Sequence, residues 1–215
     1  MQILYADARV VVCLKPAGVL SVDEPGGVPE LVRQALGLGK DGCARPVHRL
    51  DRPVGGVMVL ARSRVAASLL SQQVQARAFH KEYLAVIEGS LPQQAGTLRD
   101  ELARDAARRR TYAAPAPTKD TRTAVLHYRV FGEAAGLSLV HIRLETGRTH
   151  QIRAQFSSRG YPLAGDAKYG AKTEGPIALW SYRVAFTHPQ TGAAMTFSHE
   201  PPQTMPWTLF PREYP

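Results

Sequence analysis

Apolar and polar positions change period along this chain, and each change marks an element. In "ILYADARVVVCLKPAG" two apolar runs flank a polar Asp7-Ala8-Arg9, which predicts strand, turn and strand, the second strand ending at Lys15-Pro16. "SVDEPGGVPE" has loop composition, and "LVRQALGLGKDG" predicts a short helix stopped by glycines. "VMVLAR" reads as a buried strand. Ser63 is a capable N-cap for "RVAASLLSQQVQARAFHK". There Val65, Leu69, Leu70 and Val74 recur at helical spacing, while Gln72, Gln75 and Arg77 make a polar face. "KEYLAVIEGSLP" returns to strand.

Further on, "TAVLHYRVF" and "LSLVHIRLE" alternate with period two. Ser138, Val140, Ile142 and Leu144 share one face of the second run, and His141 and Arg143 share the other. The glycine-containing link between the runs argues for an antiparallel pair. "THQIRAQFSSRG" predicts a helix with Thr149 near its start and Gly160 past its end. Ile152 and Phe156 lie on its buried side, and His150 and Arg153 share another face. "YPLAGDAKYG" reads as a tight loop, and "IALWSYRVAFTHPQTGAAMTFSHEPP" as two or three more strands. Residues 99–122 follow neither period and run into "TYAAPAPTKDTR", which predicts an extended excursion or mobile loop. Helices and strands do not alternate as a doubly wound parallel fold requires. The expectation is therefore a single α+β domain over residues 1–215, with a mixed, mostly antiparallel sheet and flanking helices.

Composition narrows the partner. The chain has 27 basic and 18 acidic residues, a net charge of +9, which favours a polyanion, with nucleic acid first. The segment 99–122 holds Arg104, Arg108, Arg109, Arg110, Lys119 and Arg122. It reads either as a solvated loop or as a basic finger on phosphates. The two cysteines, Cys13 and Cys43, make no disulfide framework or zinc pattern, and Cys13 in "VVVCL" reads as a buried thiol. No apolar stretch is long enough to span a bilayer, and the N-terminus lacks the pattern of a signal peptide, so a cytoplasmic setting is expected.

Several chemistries fail on spacing. Around Gly39-Lys40 a P-loop would need Ser or Thr where Asp41 stands and a glycine where Gln34 stands. There is no G-x-G-x-x-G, no zinc-protease pattern of histidines and no serine in a nucleophile-elbow context. "HRLD" is not the His-Arg-Asp of a kinase loop. Asp51 has no acidic neighbour within nine residues, but Asp166 can approach it in space, so a two-carboxylate glycosidase stays open.

Three stretches embed reactive polar residues in apolar context: "HRLDRPVGG", "KEYLAV" and "TGRTHQIRAQF". An arginine beside an aspartate orients the carboxylate, and a tyrosine offers a face for a base and a hydroxyl for proton transfer. Each alone is as well explained by a surface ion pair, a half-buried tyrosine or a solvated arginine. Together they describe a carboxylate acting on a nucleotide.

These stretches, with "LKPAGVLSV", "HRLDRPVGGVMVLAR", "YPLAGDAKYG" and "FTHPQTGAAMTF", resemble the RluA-type family of RNA pseudouridine synthases over nearly the whole chain and in order. The resemblance implies that fold, a central RNA-binding cleft and no cofactor or metal. It implies Asp51 as the essential catalytic aspartate, Tyr83 as the residue that stacks on uracil and takes the proton from carbon 5, and Arg153 as the partner that holds Asp51. It implies Arg49 as the arginine that fills the gap left by a flipped uridine. Lys15, His48, Arg148 and His150 are placed on the RNA side with Arg108, Arg109 and Arg110. The partner is ribosomal or transfer RNA, with a monomeric enzyme expected. Two departures stand out. Gly55 occupies the position before Gly56 where the family has Ser or Thr, and no N-terminal S4 domain is expected. A non-catalytic RNA-binding protein of the same fold is the alternative.

Overall fold

A computed structural model describes residues 1–211. In chain order the strands and helices are β1 (Gln2–Ala6), β2 (Val10–Lys15), α1 (Val28–Ala35), β3 (Arg45–Pro46), β4 (Gly55–Ala61) and α2 (Arg64–Gln75). There follow β5 (His80–Glu88), β6 (Ala95–Asp105), β7 (Arg110–Ala114), β8 (Arg122–Ala134), β9 (Leu137–Leu144) and α3 (Gln151–Ser157). The last strands are β10 (Leu179–Thr187) and β11 (Ala194–Ser198), with short 3₁₀ turns at Ala167–Tyr169 and Trp207–Leu209. The class is α+β, and the strands are mostly antiparallel. The chain divides into two compact units: Met1–Lys81 with Trp180–Glu200, and Glu82–Leu179 with the segment from Pro201 onward.

In the first unit β2 pairs antiparallel with β1 and β4, and β10 runs parallel to β4 through Trp180↔Gly55 and Ser181↔Gly56. Every residue of β4 is buried. Val57 and Val59 pack with Val10, Val12, Val184 and Phe186 against Ala66 and Leu70 of α2. Each such side chain contributes roughly 1.5–3 kcal/mol by leaving water. Ser63 caps α2 as its type predicts, accepting the N–H of Ala66 at 3.1 Å. The inward face of α2 is the expected one only in part. Leu70 is buried beside Ala66 and Val74 packs against the core, whereas Val65 is 67% and Leu69 37% exposed. The line through residues 66 and 70 lies one residue, about 100°, round from the line through 65 and 69. The helix also stops at Gln75, short of the expected span, and Arg77 follows with φ 58°.

In the second unit β5, β9, β8, β6 and β7 lie side by side, all antiparallel. The β8–β9 pair is the one the alternating runs predict. Residues 99–122 are the larger correction. Instead of a loop, β6 pairs with β8 from Ala95↔Arg129 to Leu102↔Arg122, and β6 and β7 form a hairpin from Glu101↔Ala114 to Asp105↔Arg110. Leu102 and Ala124 pack with Ala154 of α3 and Tyr169, which supplies the inward face the charged sequence hides. Among the described residues no helix is long and apolar enough to cross a membrane.

Candidate active site

Asp51 sits half-buried in the loop between β3 and β4, and almost every residue around it is tied down. His48 Nε2 accepts the N–H of Val59 at 3.0 Å, and its ring packs 5.3 Å from that of Phe79. Leu50 is gripped at both ends by Ser21, whose Oγ accepts its N–H at 3.1 Å and donates to its carbonyl at 2.8 Å. The Arg52 carbonyl accepts from Gly18 N–H at 2.8 Å, and Val54 N–H closes the turn on the Asp51 carbonyl at 3.0 Å. Bonds at this many points hold the backbone of Asp51 in one place.

Lys15 is the deepest of these ties. It is fully buried, and its Nζ donates to the carbonyls of Pro16, Arg52 and Val54 at 3.0, 3.1 and 2.7 Å. Burial pushes its pKa down to about 8, and the charge of Asp51 partly opposes that. His48 is buried as well, and burial followed by the nearby Lys81 charge lowers its pKa to about 3, so the ring is neutral. The expectation that Lys15 and His48 face RNA is therefore corrected: both are interior and hold the loop. Arg49, beside them, is exposed.

Gly55 follows from space. A Cβ there would lie 2.5 Å from Cζ3 and 3.1 Å from Cε3 of Trp180, and 3.2 Å from the Lys15 carbonyl. Trp180 is itself fixed by donating Nε1–H to the His199 carbonyl at 2.7 Å. Gly56 is required twice over, by φ of 122° and by the Ser181 backbone 2.3 Å from any added Cβ.

In the second unit Tyr83 is a buried residue of β5, in register with Ile142 of β9, which is in turn in register with Tyr128 of β8. Tyr128 meets Phe156 of α3 edge-on at 5.9 Å. Cross-strand partners share a face, so Tyr83 looks out on the side of the sheet that α3 covers. Arg153 projects from α3 and is buried. Within its unit it makes a two-pronged pair with Asp166, Nε to Oδ2 at 2.7 Å and Nη2 to Oδ1 at 2.8 Å, and its guanidinium lies 4.8 Å from the Tyr169 ring centroid. Both Asp166 oxygens are thus engaged by Arg153, which gives this carboxylate a structural partner.

The remaining RNA-side residues spread over this unit. Arg148 is exposed, its Nε donating to the Thr123 carbonyl at 3.0 Å. His150 precedes α3 in a left-handed conformation, φ 51°. Arg108 and Arg109 lie in the β6–β7 turn, exposed, and Arg108 pairs with Asp105 at 3.0 Å. Arg110 turns inward onto Tyr169, 4.7 Å from its centroid. Ser21, Tyr169 and the half-exposed Tyr112 were not singled out by sequence, and Asp166 was raised only as a second carboxylate, not as the partner of Arg153. Ser21 and Tyr169 act through partners distant in the chain, and Tyr112 was hidden in the stretch read as loop. Among the described residues no three His, Cys, Asp or Glu side chains gather as a metal cage.

Comparison with known proteins places this arrangement. A family model described as RNA pseudouridylate synthase matches residues 9–158. The chain is 35% identical over 203 residues to the uncharacterized RNA pseudouridine synthase YhcT of Bacillus subtilis (strain 168), covering 89% of this chain and 65% of that protein. It is 32% identical over 227 residues to the ribosomal large subunit pseudouridine synthase D of Zymomonas mobilis, covering 95% and 70%. The chain thus spans about two-thirds of the length of these relatives. Among solved structures, human RNA pseudouridylate synthase domain containing 4 superposes with a TM-score of 0.78 at 22% identity, over 94% of this chain and 89% of that one.

Proposed function

The chain belongs to the RNA pseudouridylate synthase family, and on that premise we propose that it isomerises a specific uridine of structured RNA to pseudouridine. The observation that carries the reading furthest is the loop around Asp51, pinned by Ser21, Gly18, His48 and the three-fold grip of Lys15. A single carboxylate on a loop whose backbone is pinned suits a reaction that activates no water.

In this reaction the bond from uracil N1 to sugar C1′ breaks, the base turns, C1′ joins C5, and the C5 proton leaves while N1 gains one. Atoms balance with no co-reactant. Asp51 acts at the sugar, either attacking C1′ or taking a sugar proton. Tyr83 gives the detached uracil a face to lie on and a hydroxyl for the C5 proton. Arg153 orients the carboxylate of Asp51. A uridine stacked in RNA must first leave its stack, at a cost of a few kcal/mol. Insertion of the exposed Arg49 and phosphate contacts from the basic hairpin and Arg148 offset that. The name of the Zymomonas mobilis relative makes large-subunit ribosomal RNA the first substrate to try and transfer RNA the second.

Asp51→Asn is expected to abolish tritium release from RNA labelled at uracil C5 while RNA affinity stays within about threefold, since the change removes chemistry and not phosphate contacts. Full activity in that variant would sink the assignment of Asp51, whereas RNA binding without tritium release by the unaltered chain would favour the non-catalytic reading. Pseudouridine mapping of total RNA with and without the gene identifies the target.

A further inference from the structure

Arg45 of β3 is in register with Ala61, the last residue of β4, and Arg64 opens α2 just beyond it. The loop after α1 returns to the same place. There Gly42 N–H donates to the Gly39 carbonyl at 2.8 Å, in a turn so tight that a Cβ on Gly42 would lie 2.6 Å from that of Leu38. The half-buried Cys43 thiol then donates to the Ala61 carbonyl at 3.8 Å. Between these segments lies an open cavity of about 620 Å³, wholly within the first unit. Six charged side chains line it, and no aromatic one does. Arg33 and Asp23 neutralise each other, the guanidinium donating to both carboxylate oxygens at 3.0 and 2.6 Å. That leaves Lys40, Arg45 and Arg64, all exposed, against the single carboxylate of Asp41. Among the described residues none of these three cations has a side-chain hydrogen bond or ion pair.

We propose that this cavity seats a backbone phosphate of the substrate RNA, a few nucleotides from the uridine that reacts. The inference rests on the reading of Asp51 as the residue that acts on that uridine. A cavity for a small organic ligand is lined mostly by apolar and aromatic side chains, whereas six of the eleven residues here are charged. With no ring in the wall, a base has nothing to stack on. Exposed cations without a protein partner suit phosphate, the sequence-independent part of RNA. Arg45 stands six residues before Asp51. A fully extended chain of that length spans at most about 21 Å, so RNA with its target at Asp51 has the cavity within reach.

Cys43 lies in the cavity wall and can report on what fills it. The other cysteine, Cys13, is fully buried, and burial pushes its thiol up to about 12, so a maleimide reads Cys43. The chain is treated with N-ethylmaleimide, with and without total RNA from cells lacking the gene. With RNA at roughly ten times its Kd, alkylation of Cys43 is expected to slow roughly tenfold, in step with the fraction of cavities left empty. Inorganic phosphate at the same ionic strength is expected to give no protection. Replacing Lys40, Arg45 and Arg64 together by Gln should lower the salt slope of RNA binding by about 0.7–0.9, the contribution of one phosphate. Equal alkylation with and without RNA, or an unchanged slope in the triple variant, overturns the proposal. Protection by inorganic phosphate equal to that by RNA makes the cavity a small-anion site and overturns it as well. Neither readout involves bond making, so this site and the reaction fail separately. A chain that meets both expectations but releases no tritium from RNA labelled at uracil C5 keeps the phosphate site and loses the proposed isomerisation.

Discussion

A serine at position 55 would restore the residue type that the resembled family carries, and in this chain it should do harm. Its Cβ would meet the Trp180 ring at 2.5 Å, on the strand that leads straight out of the Asp51 loop. Overpacking of this kind costs about 1–3 kcal/mol. Gly55→Ser is expected to lower the denaturation midpoint and kcat together, and adding Trp180→Leu to recover most of both. A double-mutant coupling near zero would show that the two residues do not compete for the space. His48 makes a second prediction. Folded, it takes a proton only near pH 3, and unfolded near 6.5. The unfolded chain binds more protons between those values, so this group's contribution is whole above 6.5 and is lost as pH falls toward 3. His48→Gln keeps an acceptor for Val59 N–H and should flatten the acid limb by about 1 kcal/mol per pH unit on average between pH 7 and 5, read from urea unfolding at each pH. An identical acid limb in the variant would mean that His48 does not bind its proton this way. Asp51, Tyr83 and Arg153 stood out in sequence because their chemistry is unusual in apolar surroundings. Lys15 and His48 were misread because residue type tells charge but not depth: the carbonyls that make Lys15 tolerable indoors lie up to 39 residues away.

The β6–β7 hairpin was the element hardest to see. Its buried positions are few, Leu98, Leu102 and Ala103 on one strand and Thr111 on the other with Ala113 packed beside it, and Arg99, Asp100 and Glu101 stand between the leucines. A strand with so little apolar area on its buried side has the composition of a loop. It is a hydrogen-bonded pair of strands and not an irregular loop, which sharpens what it presents. Arg104, Arg108 and Arg109 are exposed on it, and so is Tyr112, half its surface open. Cations track the RNA backbone and an exposed aromatic stacks a base, and the two effects separate experimentally. Replacing Arg104, Arg108 and Arg109 by Gln should reduce the salt slope of RNA binding by about 2–3. Tyr112→Ala should weaken binding about 5- to 100-fold with the salt slope unchanged, and Tyr112→Phe should not. A salt slope left intact by the triple change would return the hairpin to a solvated ornament. The strands of β8 and β9 were legible for the opposite reason: Ala124, Leu126, Tyr128 and Val130 on one and Val140, Ile142 and Leu144 on the other alternate with polar neighbours for most of their length, so period two shows.

For the molecule as a whole, the excess of positive charge is not concentrated in the hairpin. The first unit holds 12 basic against 7 acidic residues, net +5, and the second 15 against 11, net +4. Asp51 belongs to the first unit and Tyr83 and Arg153 to the second, so the roles proposed for them predict that residues of both units touch the RNA. The phosphate footprint is then expected to be drawn from both units. Each phosphate contacted adds about 0.7–0.9 to the slope of log affinity against log salt. A footprint of about five phosphates gives log kcat/KM a salt slope of about −4, while kcat at saturating RNA stays flat, because salt acts on association and not on bond making. The hairpin triple variant should therefore keep a residual slope of about −1 to −2, contributed by the first unit and by Arg148. Asp51→Asn, measured by binding, should keep the whole of it. A slope that vanishes with the hairpin alone would confine RNA recognition to one element, and the evenly spread charge would then serve only to keep the protein apart from its own copies.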